Sequence, residues 1–294
     1  MADILIAGQS VLDFIFYLDE HPSKPEKYRA KGAQIIGGGC AGNAAVAVAR
    51  LGGGAHLCGR VGADDIGMLI TDGLRAEGVD ITNIAQIEGG RSSYSSICID
   101  AEGERQIINV RGADLGDDTS SWTLPPRIDA ALGDTRWKAG CLAALNIARE
   151  RGLPGVLDGE APIPDDLAKA ASHVVFSVQG ICSFAGVDDP LKALAVAHEK
   201  IPGWVAVTDG PKGVFHYDGE EVVHTPGHMV NVVDTLGAGD VWHGAFALAL
   251  AEGQEEKAAI RFASATAALK CTKKGGRAGT PSRDEVETFM KATA

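Results

Sequence analysis

No two cysteines in this chain are spaced C-x-x-C; Cys40, Cys58, Cys98, Cys141, Cys182 and Cys271 are scattered singly. That spacing indicates neither a zinc site nor a disulfide framework and leaves reduced core thiols. Basic charge is also scarce. Lys and Arg number 27 against 39 Asp and Glu, for a formal net charge of −12. With no Lys/Arg-rich stripe to offset that charge, nucleic acid and anionic membrane are excluded as partners. Any anionic substrate must then be held by a few local bases. No apolar run reaches the roughly 20 residues that a membrane-spanning helix needs. The N-terminus, Met1-Ala2-Asp3, carries an acid where a secretion signal carries a base, so the expected location is the cytoplasm. Internal repeats and low-complexity tracts are lacking too.

What is present is alternation. Short apolar runs at 3–8, 130–137, 155–159, 174–177 and 204–208 lead into Asp, Gly, Ser or Thr and are separated by helical patterns, as expected of a central parallel sheet whose C-terminal strand ends line a crevice. One α/β domain with a small appendage fits 294 residues better than two equal domains. The appendage is legible at 92–100 and 105–110, two strand-like runs joined by Ala101-Glu102-Gly103-Glu104, a hairpin signal. Paired with the extended run 11–17, it makes a small antiparallel sheet and a candidate lid, with lid strands expected from 11–32 and 91–112. Asp13 interrupts the first of these runs. It either faces solvent on an edge strand or accepts hydrogen bonds from a polyol, and spacing alone favours solvent.

The chain is organised around Val232-Val233-Asp234-Thr235-Leu236-Gly237-Ala238-Gly239-Asp240, followed by an Ala- and Leu-rich run over 245–251. The pattern predicts strand, tight turn and buried helix. Two glycines let the backbone approach a bound group, and the first helical turn adds the positive end of a dipole, which together make an anion site. Asp240 sits in it. A carboxylate where a phosphate would bind makes sense as a base that takes a proton from a hydroxyl attacking that phosphate; the alternative is that Asp240 caps the helix. A second turn, Gly37-Gly38-Gly39-Cys40-Ala41-Gly42-Asn43, precedes a helical run at 44–51 and matches G-x-G-x-x-G. It does not follow the first strand, and Asp64 and Asp65 lie in a glycine-flanked loop, so it is a poor dinucleotide fingerprint.

The two turns together resemble the paired signature of the ribokinase-like (PfkB) carbohydrate kinases. The similarity extends to Thr208-Asp209-Gly210-Pro211-Lys212-Gly213, which matches that family's nucleotide-side T-x-G-x-x-G, and to the closing Gly276-Arg277-Ala278-Gly279-Thr280-Pro281. The resemblance implies a ribokinase-like three-layer sandwich with a mostly parallel central sheet and a small antiparallel β lid. It implies Asp240 as the base, with Gly237, Ala238 and Gly239 donating N–H groups to the transferring phosphoryl. Asp13, Gly38, Gly39 and Asn43 would hold the sugar, and Thr208, Gly210, Gly213 and Thr235 would hold ATP, with Mg2+ as its companion. One departure stands out. Where the family carries N-x-x-E to organise magnesium, this chain has Ser177-Val178-Gln179-Gly180, so its protein contacts to the ion are unassigned.

Within the family, the Ser-x-x-Gly replacement, Asp134-Thr135-Arg136-Trp137 and the ending 262–279 look like the kinases of 6-deoxy-6-sulfofructose in sulfoquinovose breakdown. That narrower similarity implies phosphorylation of the sugar's 1-hydroxyl, with Lys27, Asn109 and Arg136 around its sulfonate. The alternatives are a kinase of a neutral or carboxylated sugar (fructose, ribose, keto-deoxy-gluconate) and a non-catalytic sugar-binding regulator. Exposed apolar lid edges point to a homodimer paired through the lids.

Overall fold

The computed structural model describes residues 1–293. Its strands, in chain order, are β1 (Asp3–Ala7), β2 (Val11–Tyr17), β3 (Gly32–Gly38), β4 (Gly54–Gly62), β5 (Asp80–Ile87), β6 (Tyr94–Ile99), β7 (Arg105–Val110), β8 (Ala130–Gly133), β9 (Gly155–Gly159), β10 (His173–Ser177), β11 (Trp204–Thr208), β12 (Val214–Asp218) and β13 (Glu221–Thr225). The helices are α1 (Cys40–Arg50), α2 (Asp65–Ala76), α3 (Lys138–Glu150), α4 (Asp165–Ala170), α5 (Val178–Ala185), α6 (Pro190–Lys200), α7 (Ala238–Ala251), α8 (Glu256–Cys271) and α9 (Arg283–Ala292).

Among the described residues the strands form two sheets. The larger runs β13-β12-β11-β10-β9-β8-β1-β4-β5 and is parallel except at β11-β12-β13. Its middle strands are apolar on both faces because helices cover both. One face carries α1, α7 and α8, and the other carries α3, α4 and α6. This is the mostly parallel α/β sandwich that the resemblance implies. The smaller sheet, β3-β2-β6-β7, is the lid.

The centre of the molecule is α7. Its residues from Val241 through Leu250 are all buried, as expected of a helix that is apolar all round. It lies close against α1 because both carry small residues at the crossing; a Cβ on Gly244 would fall 2.5 Å from the carbonyl oxygen of Ala44. Close crossing brings two helix N-termini together, and with them the two glycine turns.

Several expectations change. Val232 and Val233 are no strand: they are 57% and 45% exposed, and Val233 N–H donates to the Cys271 carbonyl in a loop. β-branched propensity is overridden there because the larger sheet already ends at β13. The strand expected at 130–137 stops at Gly133, since the Asp134 carboxylate accepts backbone N–H bonds from Gln9, Ala41 and Arg136 and turns the chain. The antiparallel lid holds one parallel pair, β2 with β6, and gains β3 as an edge. Asp13 therefore lies on an inner strand and is 7% exposed, which removes the solvent-facing alternative.

Candidate active site

Gly237 takes the left-handed conformation (φ 76°, ψ 11°) and precedes α7 with no side chain capping the helix. The first-turn N–H groups of a helix have no intrahelical partner, so they remain donors for a ligand. Asp240 stands within that first turn rather than at the cap, and the helix-cap alternative falls. Asn43 Nδ2 of α1 donates to Asp240 Oδ2 at 2.7 Å. Burial raises the Asp240 carboxyl above its ordinary range and Glu160 adds to this, against Asn43 and His243, which favour the anion.

The turn itself is braced from behind. Asp234 Oδ2 accepts N–H bonds from Gly275 and Gly276, each 3.0 Å, and Oδ1 accepts from Leu236 at 2.9 Å. Burial would push this carboxyl up, but the donors of Gly276 and Leu236, with the Lys270 charge, hold it below its usual value. The Lys270 side chain is fully buried and donates to the Asp234 carbonyl at 2.8 Å. From the lid, Arg105 donates to Thr235 Oγ1 at 2.6 Å and reaches the same turn from the other side.

A cleft opens beside the first turn of α7, on one side of Asp240. Its volume is about 530 Å³, and it is lined by Thr208, Gly210, Gly213 and Thr235, all four expected nucleotide-side residues, together with Ala238 and Gly239. Val214, Val230, Val232, Ala267 and Ala268 give it apolar walls. A Cβ on Gly213 (φ 95°) would strike the Thr225 carbonyl, so the backbone can pass there only as glycine. On the other side, Asp13 packs against Gly38, whose added Cβ would overlap the Asp13 carboxylate, and Gly39 (φ 87°) starts α1. Burial raises the Asp13 carboxyl; a hydrogen bond from Ser95 and the Arg277 charge oppose this. Buried Asn43 Oδ1 has no protein partner among the described residues and is free to accept from a hydroxyl.

An acid set between a cleft at a helix N-terminus and a group of buried polar side chains is the layout of a phosphoryl transferase. The family description "pfkB family carbohydrate kinase" matches residues 1–283. The chain belongs to that family. It is an ATP-dependent carbohydrate kinase, a phosphotransferase with an alcohol as acceptor. A ribokinase of Bacillus subtilis is 30% identical over 296 residues, covering 99% of this chain and all of the relative. The crystal structure of a candidate ribokinase from Agrobacterium tumefaciens superposes with a TM-score of 0.93 at 38% identity, covering 99% of this chain and 98% of the other. Arabidopsis thaliana ribokinase, solved with ribose and ATP, gives a TM-score of 0.86 at 25% identity over 99% of both chains. Among the described residues of the kinase, no helix is long and apolar enough to cross a membrane.

The three residues expected around a sulfonate are not joined by any contact among the described residues. Asn109 Nδ2 donates to Ser95 Oγ at 3.1 Å, one step from Asp13. Arg136 pairs with Glu160 at 2.7 Å and donates to the Ala161 carbonyl. Lys27 is exposed in the irregular segment between β2 and β3. At the Ser-x-x-Gly departure, the Ser177 hydroxyl accepts from Gly180 N–H and caps α5, so these residues offer magnesium no carboxylate. Sequence reasoning missed Lys270, Arg105, Asp158 and His243. For His243 a signal existed: it is a polar residue three positions after Asp240 inside an otherwise apolar helical run.

Proposed function

We propose that this kinase transfers the γ-phosphoryl of ATP to the 1-hydroxyl of 6-deoxy-6-sulfofructose. The observation that carries the transfer step is the Asn43–Asp240 bond, which orients one carboxylate in the first turn of α7. Asp240 takes the hydroxyl proton as the sugar oxygen bonds to phosphorus and the bond to the ADP oxygen breaks. Gly237, Ala238 and Gly239 present N–H groups to the phosphoryl oxygens, an arrangement that needs no covalent intermediate. Asp13, Gly38, Gly39 and Asn43 hold the sugar, while Thr208, Gly210, Gly213 and Thr235 line the nucleotide's place. The cleft's volume and apolar walls suit a purine nucleotide. Magnesium would neutralise charge on the phosphates and, with no carboxylate offered by Ser177-Val178-Gln179-Gly180, would be held through the phosphates and water, as that ion tolerates.

The sulfonate is met by Arg136, with Lys27 and Asn109 from the lid, because an acidic protein needs local cations for an anionic tail. A second reading, a neutral sugar such as fructose or ribose, is favoured by one contact: the Arg136 guanidinium already has a counterion in Glu160. A coupled ADP assay over ribose, fructose, keto-deoxy-gluconate and 6-deoxy-6-sulfofructose decides. The sulfonated sugar should show the highest kcat/KM. A better neutral substrate removes the sulfonate reading, and sugar binding without ADP release would mark a regulator. We further place the enzyme in the cytoplasm as a single kinase domain, and as a homodimer through the lids. Ile35, Ile107 and Ile108 are 61%, 53% and 63% exposed there, and a partner would cover them. Sedimentation velocity reads that state directly.

A further inference from the structure

Behind Asp240 lies an ionisable pair that the transfer step does not use. His243, 4% exposed, places Nδ1 2.7 Å from the Gly239 carbonyl oxygen and Nε2 3.1 Å from the Val175 carbonyl oxygen. Nε2 also lies 3.6 Å from Asp158 Oδ1, and Asp158 is 5% exposed. A neutral imidazole has one donor and one acceptor nitrogen, so it would turn a lone pair on one of these carbonyls. Only the imidazolium satisfies both. The Cys40, Asp158 and Asp240 side chains meet within 4.8 Å of one another, so the base shares its pocket with a second carboxyl and a thiol.

Two carboxylates that close do not both stay ionised unless a positive charge stands beside them. We propose that His243 is a positioning residue that remains an imidazolium through the neutral range, and that its charge, set against that of Asp158, keeps Asp240 in the anionic form that accepts the proton. This rests on Asp240 being the base.

The charges around Asp240 leave few other sources for that effect. Cys40 and Asn43 face it from α1, Asp158 and Glu160 from the end of β9, Asp134 from the end of β8 and Asp13 from the lid. All the ionisable members of that set are acidic. Opposing them are His243, one turn along the same helix, and Lys270 of α8, whose ammonium is already engaged by Asp234. Burial alone would lower the His243 pKa, but Asp158 and the two carbonyls outweigh it, and the net direction is up. His243 also grips the Gly239 carbonyl, so the same side chain fixes the turn from which the base projects.

The test has two independent arms. Long-range ¹⁵N–¹H NMR of the wild-type protein reads the His243 ring directly, and both nitrogens should show imidazolium shifts at pH 7.5. A neutral tautomer at that pH overturns the proposal whatever the base is. The second arm is kcat/KM against pH with the best sugar of the assay panel. His243→Gln should move the acid limb up by about one pH unit or more, since it removes a positive charge from a buried group of carboxyls. Asp158→Asn should move it down. An unmoved limb in His243→Gln, or the same direction in both variants, overturns the proposal. Asp240→Asn keeping full turnover would instead sink the base assignment. Should His243→Gln fail to fold, the wild-type NMR result decides alone.

Discussion

Asn43 donates to Asp240 across 197 residues of chain, and this bond joins the early glycine turn to the late one. The amide of α1 holds Oδ2 of the carboxylate, which leaves Oδ1 for the substrate proton that the proposed transfer requires. The glycine at the helix crossing, Gly244, sets the distance at which this can happen.

Asp240→Asn keeps the shape of that arrangement and cannot accept the proton. Turnover should fall by about a hundredfold to ten-thousandfold, the range that general-base catalysis supplies. Calorimetric titration with sugar should give an affinity close to wild type. More than a tenth of wild-type kcat in the variant would show that another group is the base.

The glycines of the turn separate in their demands. Gly237 holds the left-handed conformation, whereas a Cβ on Gly239 meets nothing within 4 Å and projects beside the nucleotide cleft. Gly239→Val should therefore fold with an unchanged melting temperature and raise the KM for ATP at least tenfold, because the added methyls occupy ligand space. Gly237→Val should lose stability by about 1–2 kcal/mol, since a β-branched residue resists positive φ. Thermal melts alongside ATP kinetics separate the two; normal ATP kinetics in Gly239→Val would remove the phosphoryl-facing role of the turn.

Much of this architecture was legible in the sequence where one residue's environment is set locally. The parallel strands ending in Gly133, Gly159, Ser177 and Thr208 were visible because a strand covered on both faces must be apolar throughout. The two glycine turns were visible because close backbone approach admits few residues. Val232 and Val233 misled for the opposite reason: their conformation depends on Cys271 and a cleft assembled from distant segments. Asp13 was ambiguous because burial depends on which strand becomes its neighbour, and β6 arrives in parallel from 80 residues on. Lys270 and Arg105 carry no local pattern; each owes its importance to a contact with the turn before α7.

Asp134 makes stability depend on pH. Burial raises its folded-state pKa to about 6, while three backbone donors pull it down. An unfolded Asp titrates near about 4. Between these values the native state binds the extra proton, so the stabilisation is full below about pH 4 and is lost as pH rises through about 6. Urea midpoints should accordingly fall from pH 5 to pH 7.5 with a contribution of about 1–1.5 kcal/mol from this group, half of the full effect already being lost by pH 5. Asp134→Asn should flatten that decline while lowering stability at pH 5 by about 1–3 kcal/mol, since its amide NH2 cannot accept all three N–H bonds. Equal slopes in the two proteins would mean that Asp134 is ionised throughout.

Arg136 and Glu160, paired at 2.7 Å, give the proposed sulfonated substrate its most direct test. A sulfonate entering there competes with the Glu160 carboxylate for one guanidinium fork, which can offer two parallel N–H groups to either. Removing the fork leaves the sulfonate's charge unmatched. Arg136→Ala should lower kcat/KM for 6-deoxy-6-sulfofructose by at least about thirtyfold, the lower end of what truncating a desolvated charge pair costs. Fructose, with no charge to lose, should be nearly unaffected. Glu160→Gln works in the other direction. It frees Arg136 and removes a repulsive carboxylate, so kcat/KM for the sulfonated sugar should rise by about threefold to tenfold with little change for fructose. If Arg136→Ala instead lowers both substrates equally, and Glu160→Gln does the same, the pair supports the chain where it turns at Asp134 and the enzyme's specificity lies elsewhere.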